Sequence, residues 1–180
     1  MKTLTTHIHE ALKIGKNLSK FSTHSCQPKT NDELWSIINE RIKKDGTKCD
    51  LNDIDTSLIT DMSWLLNKSR FNGNISNWDT SHVTDMKEMF SYSKFDGDIS
   101  KWNVSNVTNM KNMFANSNFN SDISNWNISK VKYMAYMFAN SKFNQDISDW
   151  KISSGCDTDY MFLECPIRKE FKPKLSRWSR

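Results

Sequence analysis

Four columns of large apolar residues recur along this chain at one fixed spacing of 24 positions. Met62, Met86, Met110 and Met134 form one; Phe71, Phe95, Phe119 and Phe143 a second; Ile75, Ile99, Ile123 and Ile147 a third; Trp78, Trp102, Trp126 and Trp150 a fourth. A period of this length is too short for a domain and too long for a single strand or short helix. Each period must therefore be one supersecondary unit that buries its apolar edge only by stacking on its neighbours, so that the units share one continuous core. A length of 180 residues, 37% of them apolar and 26% charged, suits a single ordinary domain.

Within a unit, Ile99-x-x-Trp102-x-Val104 has the L-x-x-L-x-L spacing of a leucine-rich repeat strand, with Trp102 and Val104 on one face. Val107-x-x-Met110-x-x-Met113-Phe114 then steps by three and four, the helical pattern, with Ser105 or Thr108 available as a cap. Ser117-x-Phe119-Asn120 turns the chain back toward the next strand. The expected fold class is an α/β repeat: a short leucine-rich-repeat-like solenoid, strand plus short helix per 24-residue unit, behind an α-helical N-terminal cap.

The array is expected over residues 51–165, a helical cap over 1–50 and a basic tail over 166–180. Leu51-x-x-Ile54 opens the first unit; in the last, Gly155 and Thr158 replace apolar positions while Met161 and Phe162 stay in phase, the decay expected of a terminal unit. In the cap, Ile8, Ala11, Leu12, Leu18 and Phe21 form one helical stripe, weakened by Gly15. A second helix is better marked: Asn31 as its cap, Asp32 and Glu33 in the first turn, Leu34, Trp35, Ile38 and Ile42 as its stripe, and Lys43, Lys44 and Gly46 at its end. The three segments carry net charges of +3 for the cap, −4 for the repeats and +5 for the tail.

The unit V-T-x-M-x-x-M-F-x-x-S-x-F-N-x-D-I-S-x-W resembles the BspA-like leucine-rich repeats of mycoplasma surface lipoproteins and of gut bacteria and their phages, over residues 51–165. The stretch Ala11-Leu12-Lys13-Ile14-Gly15-Lys16-Asn17-Leu18-Ser19-Lys20-Phe21 also looks like the leader of such proteins from gut Bacteroides-associated phage genomes. The resemblance implies a fold and a broad adhesive role, and it supplies no catalytic residues. No apolar run near the start has the character of a signal peptide or a membrane span. A cytoplasmic location is expected, in a host cell or for a phage-encoded product, with the cell surface or a virion as the alternative.

Each conspicuous residue class has a structural and a functional interpretation. The tryptophans occupy the second leucine position and are expected in the core, the alternative being a sugar-stacking platform. The column Asn74, Asp98, Asp122 and Asp146 is expected to close turns by accepting backbone N–H groups, the alternative being a calcium ladder. Cys26, Cys49, Cys156 and Cys165 lack paired spacing and are expected as free thiols, so no metal or other cofactor is assigned. Phe171 and Trp178 in the tail are expected to cover the open end, with anion contact as the alternative.

The remaining columns are the polar residues that flank the second apolar strand position: Asp53 and Asp55, Asn77 and Asp79, Lys101 and Asn103, Asn125 and Asn127, Asp149 and Lys151. Their charge changes from unit to unit while the apolar columns do not, the pattern of a recognition surface on the concave sheet. No phosphate loop, nucleophile elbow or zinc-protease motif occurs, and His82 is the one histidine among the repeats. The expected function is a non-catalytic binding module for a protein partner, with a glycan as a further candidate, no nucleic acid and no membrane span. The expected state is a monomer; the alternative is a structural or adhesin-like component whose repeats stack on copies of themselves.

Overall fold

The computed structural model describes residues 25–174. The expected first helix, with its stripe from Ile8 to Phe21, and Trp178 of the tail lie outside the described residues. The apolar columns are all interior: Met62, Met86, Met110 and Met134, the phenylalanines and the isoleucines have essentially no exposed surface. They stack directly on their counterparts. Phe71, Phe95, Phe119 and Phe143 form a row of near-parallel rings 6.1, 6.4 and 6.2 Å apart, and Phe90, Phe114, Phe138 and Phe162 a second row at 5.5, 5.6 and 5.7 Å. The rows meet where Phe114 stacks on Phe119 at 4.1 Å and Phe138 on Phe143 at 4.1 Å.

Backbone hydrogen bonds repeat the same period. Parallel bridges join Asp61 to Asp85, Asp85 to Asn109, Asn109 to Tyr133 and Tyr133 to Asp157. This ladder does not lie where a strand was expected. It runs through the segment whose three- and four-residue steps predict a helix, and no helix forms there. Val107–Phe114 is instead a coil of tight turns in which Met113 donates to Met110, Ala115 to Asn112 and Ser117 to Phe114, while the alternate residues Met110, Asn112, Phe114 and Asn116 donate to Tyr133, Ala135, Met137 and Ala139 of the next unit. An α-helix would spend these N–H groups on itself and leave none to join the units. A stretch this short is also a poor helix in isolation. The apolar steps are met equally well by the coil, which turns Met110, Met113 and Phe114 inward.

The coil has its own backbone signature. Trp64, Lys68, Glu88, Tyr92, Asn112, Asn116, Tyr136, Asn140, Tyr160 and Glu164 all have φ between 50° and 62°, two per unit at equivalent places. Left-handed residues in the middle of the segment are incompatible with a helix.

The expected strand, Ile99 to Val104, is likewise not a ladder strand. Trp102 donates to the Ile99 carbonyl at 3.1 Å and Val107 to Val104 at 3.0 Å, making two successive turns. Asp98 and Asn103 close them by accepting the backbone N–H groups of Ser100 and Ser105. Side chains that offer the backbone such local partners compete with sheet pairing. Trp102 and Val104 do both face inward.

Among the described residues one α-helix, α1, spans Asn31–Asp45. Its cap is Thr30, one residue before the expected Asn31: Thr30 Oγ1 accepts the Glu33 N–H at 3.2 Å and Glu33 Oε2 reaches back to the Lys29 N–H at 2.7 Å. Gly46 ends it at φ 87°, donating to the Ile42 carbonyl. Leu34 and Ile38 enter the core, whereas Trp35, expected on the same stripe, is 54% exposed. Arg41 clasps α1 to the first unit through Asp53 at 2.8 Å and to the segment before it through the Asp50 carbonyl at 2.9 Å, and within the helix it pairs with Asp45 at 3.0 Å. Ser25–Gln27 run beside Asp53–Asp55, with Cys26 bridged in parallel to Ile54. At the far end Ile147 donates to the Phe171 carbonyl at 3.0 Å and Ile167 is buried, so the segment around a short 3₁₀ turn, Lys169–Phe171, covers the last unit as expected of Phe171. Among the described residues no helix is long and apolar enough to cross a membrane.

Candidate functional site

The tryptophan column is interior, each member only 4% exposed. Every indole N–H donates to a main-chain carbonyl one unit back: Trp78 to Leu51 at 3.0 Å, Trp102 to Ile75 at 3.1 Å, Trp126 to Ile99 at 3.1 Å and Trp150 to Ile123 at 3.3 Å. The polar end of the ring is thereby satisfied inside the core, and the rings are withdrawn from any sugar in solvent.

The aspartate column closes turns. Asn74, Asp98, Asp122 and Asp146 accept the N–H of Ser76, Ser100, Ser124 and Ser148 at 2.8 to 3.2 Å. The Ser100 hydroxyl and N–H hold the Asp98 carboxyl below the usual carboxylate range, and the Ser148 N–H and hydroxyl do the same for Asp146. Among the described residues no three His, Cys, Asp or Glu side chains are grouped to hold a metal ion.

The ten polar residues flanking the tryptophan positions divide into three sets. Asp53 and Asp55, expected on the recognition face, are half-buried and engaged by the cap: Asp53 by Arg41 and by the Ser25 hydroxyl at 2.6 Å, Asp55 by Gln27 Nε2 at 2.7 Å. Burial of Asp53 opposes its ionisation, but the Arg41 and Ser25 bonds outweigh it and its carboxyl lies below the usual range. Asp79, Asn103 and Asn127 are exposed, yet each spends an oxygen on the N–H of Ser81, Ser105 or Ser129. Asn77, Lys101, Asn125, Asp149 and Lys151 are exposed, and their side chains make no hydrogen bond among the described residues, although the Asn77 backbone N–H donates to Asn52 Oδ1 at 2.8 Å. Beside them a shallow open depression of about 210 Å³ is lined by Trp126, Asn127, Asp149, Trp150 and Lys151 with neighbouring serines.

These groups can donate, accept and pair charge, and they hold no nucleophile next to a base. Ser81 Oγ does lie 3.1 Å from His82 Nδ1. Asp79, however, bonds the Ser81 backbone N–H and, among the described residues, makes no hydrogen bond to the imidazole, and the contact is exposed. The thiols are unactivated: burial and the neighbouring Asp157 push Cys156 up to about 11, and burial raises Cys26, Cys49 and Cys165.

Two columns escape a reading of the sequence alone. Asn72, Asp96, Asn120 and Asn144 each accept the backbone N–H of the equivalent residue in the next unit, Asp96, Asn120, Asn144 and Arg168, at 2.7 to 3.0 Å. The spacing of 24 and the amide-rich composition of this column were visible; the direction of its bonds was not. The left-handed positions of the coil form the other. Asn112, Asn116 and Asn140 are a recognisable signal there, but Trp64, Glu88, Tyr92, Tyr136 and Tyr160 carry none. They place aromatic rings on the outside of the coil, with Tyr136 stacked on Tyr160 at 5.0 Å and Lys87 Nζ over Trp64 at 5.4 Å.

No curated protein and no solved structure matches the chain. Residues 38–118 and 94–180 each match the model of one family, described as "Mycoplasma protein of unknown function, DUF285".

Proposed function

The chain belongs to this DUF285 family, and from that premise we propose that it is a non-catalytic binding module, a BspA-like solenoid of the leucine-rich type that recognises a protein partner through the polar face beside its tryptophan column. The observation that carries this is a contrast between neighbouring positions. The four buried columns of Met, Phe, Ile and Trp keep their identity from the second unit to the fourth, while the exposed position before the tryptophan passes from Asn77 to Lys101, Asn125 and Asp149. A stack supports such a surface well, because its geometry is set by the core and the exposed residue is left free to vary.

The experiment compares two variants in capture of partner from a lysate of Bacteroides-type gut bacteria. Changing Lys101, Asn125, Asp149 and Lys151 to alanine removes no core atom and no turn closure, so the melting temperature should move by only a few degrees while the captured partner is lost. Lys111→Ala with Lys132→Ala, on the coil side, should retain it. The opposite pattern would overturn the assignment of the face.

A further inference from the structure

The stack ends on a coil, residues 157–165, that is unlike both an ordinary sheet edge and the coils before it. Met134, Tyr136, Phe138 and Asn140 give their N–H groups to the carbonyls of Asp157, Asp159, Met161 and Leu163. The equivalent donors of the last coil are Thr158, Tyr160, Phe162 and Glu164, and the structure gives none of their backbone N–H groups an acceptor among the described residues. The segment that closes the core pairs elsewhere, with Asn144 and Ile147. Lys172 sits over the Phe162 ring at 5.3 Å, covering its face.

This edge is one-sided. The carbonyls of Thr158, Tyr160 and Phe162 are taken within their own turns by Met161, Leu163 and Cys165, and those of Asp157, Asp159, Met161 and Leu163 face the preceding unit. Between Thr158 and Glu164 the outward-facing backbone groups are therefore donors, where a β-strand would alternate donors with acceptors. Two such ends cannot pair with each other. The carbonyls that would match these donors lie at the first unit, but there the Ser63 carbonyl accepts from Asn31 Nδ2 at 2.8 Å and α1 buries Leu34 and Ile38. A second copy thus finds its complementary end capped.

We infer that the donor edge Thr158–Glu164 is a docking site for a basic peptide segment of another protein that takes up the tight-turn conformation of the coils, lying parallel to the last coil with the carbonyls of alternate residues on these four N–H groups. Asp157, Asp159 and Glu164 flank the donors, and residues 157–165 contain no Lys or Arg. Tyr160 and Leu163, 46% and 41% exposed, add apolar contact. Main-chain bonds hold such a segment and the carboxylates select its Lys and Arg side chains. A row of N–H groups alone would suit a free anion, but three carboxylates beside it repel one. The inference is independent of the polar face.

A synthetic peptide copying residues 130–142 is a suitable probe, because this coil receives the same four bonds inside the chain and carries Lys130, Lys132 and Lys142 with no acidic residue. Added to the isotope-labelled full chain at low salt, it should shift the amide resonances of Tyr160, Phe162 and Glu164 and slow their exchange, leaving those of Lys101 and Asn125 unmoved. Asp159→Lys with Glu164→Lys should weaken binding about tenfold; Lys87, Lys111 and Lys68 already occupy the equivalent positions of other units, so the fold tolerates the change. The inference is overturned if these amides are already protected in the free chain, if the peptide leaves them unchanged, or if a scrambled peptide of the same composition protects them equally.

Discussion

At the scale of the residue, the left-handed positions and the cap carboxylate are the most telling. Glu88 has φ 56° with its side chain half-exposed. A residue with a Cβ is strained there and glycine is not, although glycine gives up more chain entropy on folding. Glu88→Gly should therefore raise stability by about 0.5–1 kcal/mol, read as a higher urea midpoint; a loss of that size would mean that the glutamate makes a contact outweighing its strain. Asp53 is held ionised by Arg41 and Ser25, with its folded value below the unfolded one. The stability this contributes is fully present above the unfolded value, near pH 4, and is lost as pH falls through the folded value. Urea unfolding of Asp53→Asn beside the parent chain should show a gap at pH 7 that narrows on acidification below about pH 4. A gap that widens would contradict the direction of the shift.

At the scale of the element, each unit is held by a few long side chains and by N–H groups that cross to its neighbours. Trp126 combines both: it is buried and its indole donates to the Ile99 carbonyl. Trp126→Ala should cost about 3–5 kcal/mol through lost burial and the cavity left behind, and it leaves that carbonyl without its donor. Urea titration measures this, and a loss below about 1 kcal/mol would place the ring outside the core. α1 works differently. Its cap and C-terminal glycine were legible within a residue in the sequence, because capping is local chemistry of Thr30, Glu33 and Gly46. The exposure of Trp35 was not, since it depends on how the helix axis is rolled against the first unit.

At the scale of the whole molecule, the 24-residue period governs both ring stacking and backbone pairing. Deleting residues 100–123 joins Ile99 to Ser124 and restores the native Ile-Ser step, with every column back in phase. That shortened chain should still unfold cooperatively, at lower denaturant, as a stack with one interface fewer. Deleting half a period instead sets apolar positions against polar ones and should abolish cooperative unfolding. Tryptophan fluorescence in urea reports both, and equal behaviour of the two deletions would show that register between units is not what holds the chain.

The period, the identity of the buried columns, the inward tryptophans and, to within a residue, the ends of α1 were legible in the residues alone, because burial follows hydrophobicity and caps follow neighbouring residues. The tertiary structure alone decided how the backbone bonds are shared. Val107–Phe114 suits an α-helix and a coil of tight turns equally by its apolar steps, and the choice falls to the coil because only there do Met110, Asn112, Phe114 and Asn116 have donors left for the next unit. The same allocation turns the N–H groups of Met110, Asn112, Phe114 and Asn116 toward the following unit. Arg41, Ser25 and Gln27 engage Asp53 and Asp55 at the capped end, and at the other end four N–H groups have no acceptor among the described residues. Apolar spacing records which side chains are buried, and it is silent on which carbonyl each N–H group will find.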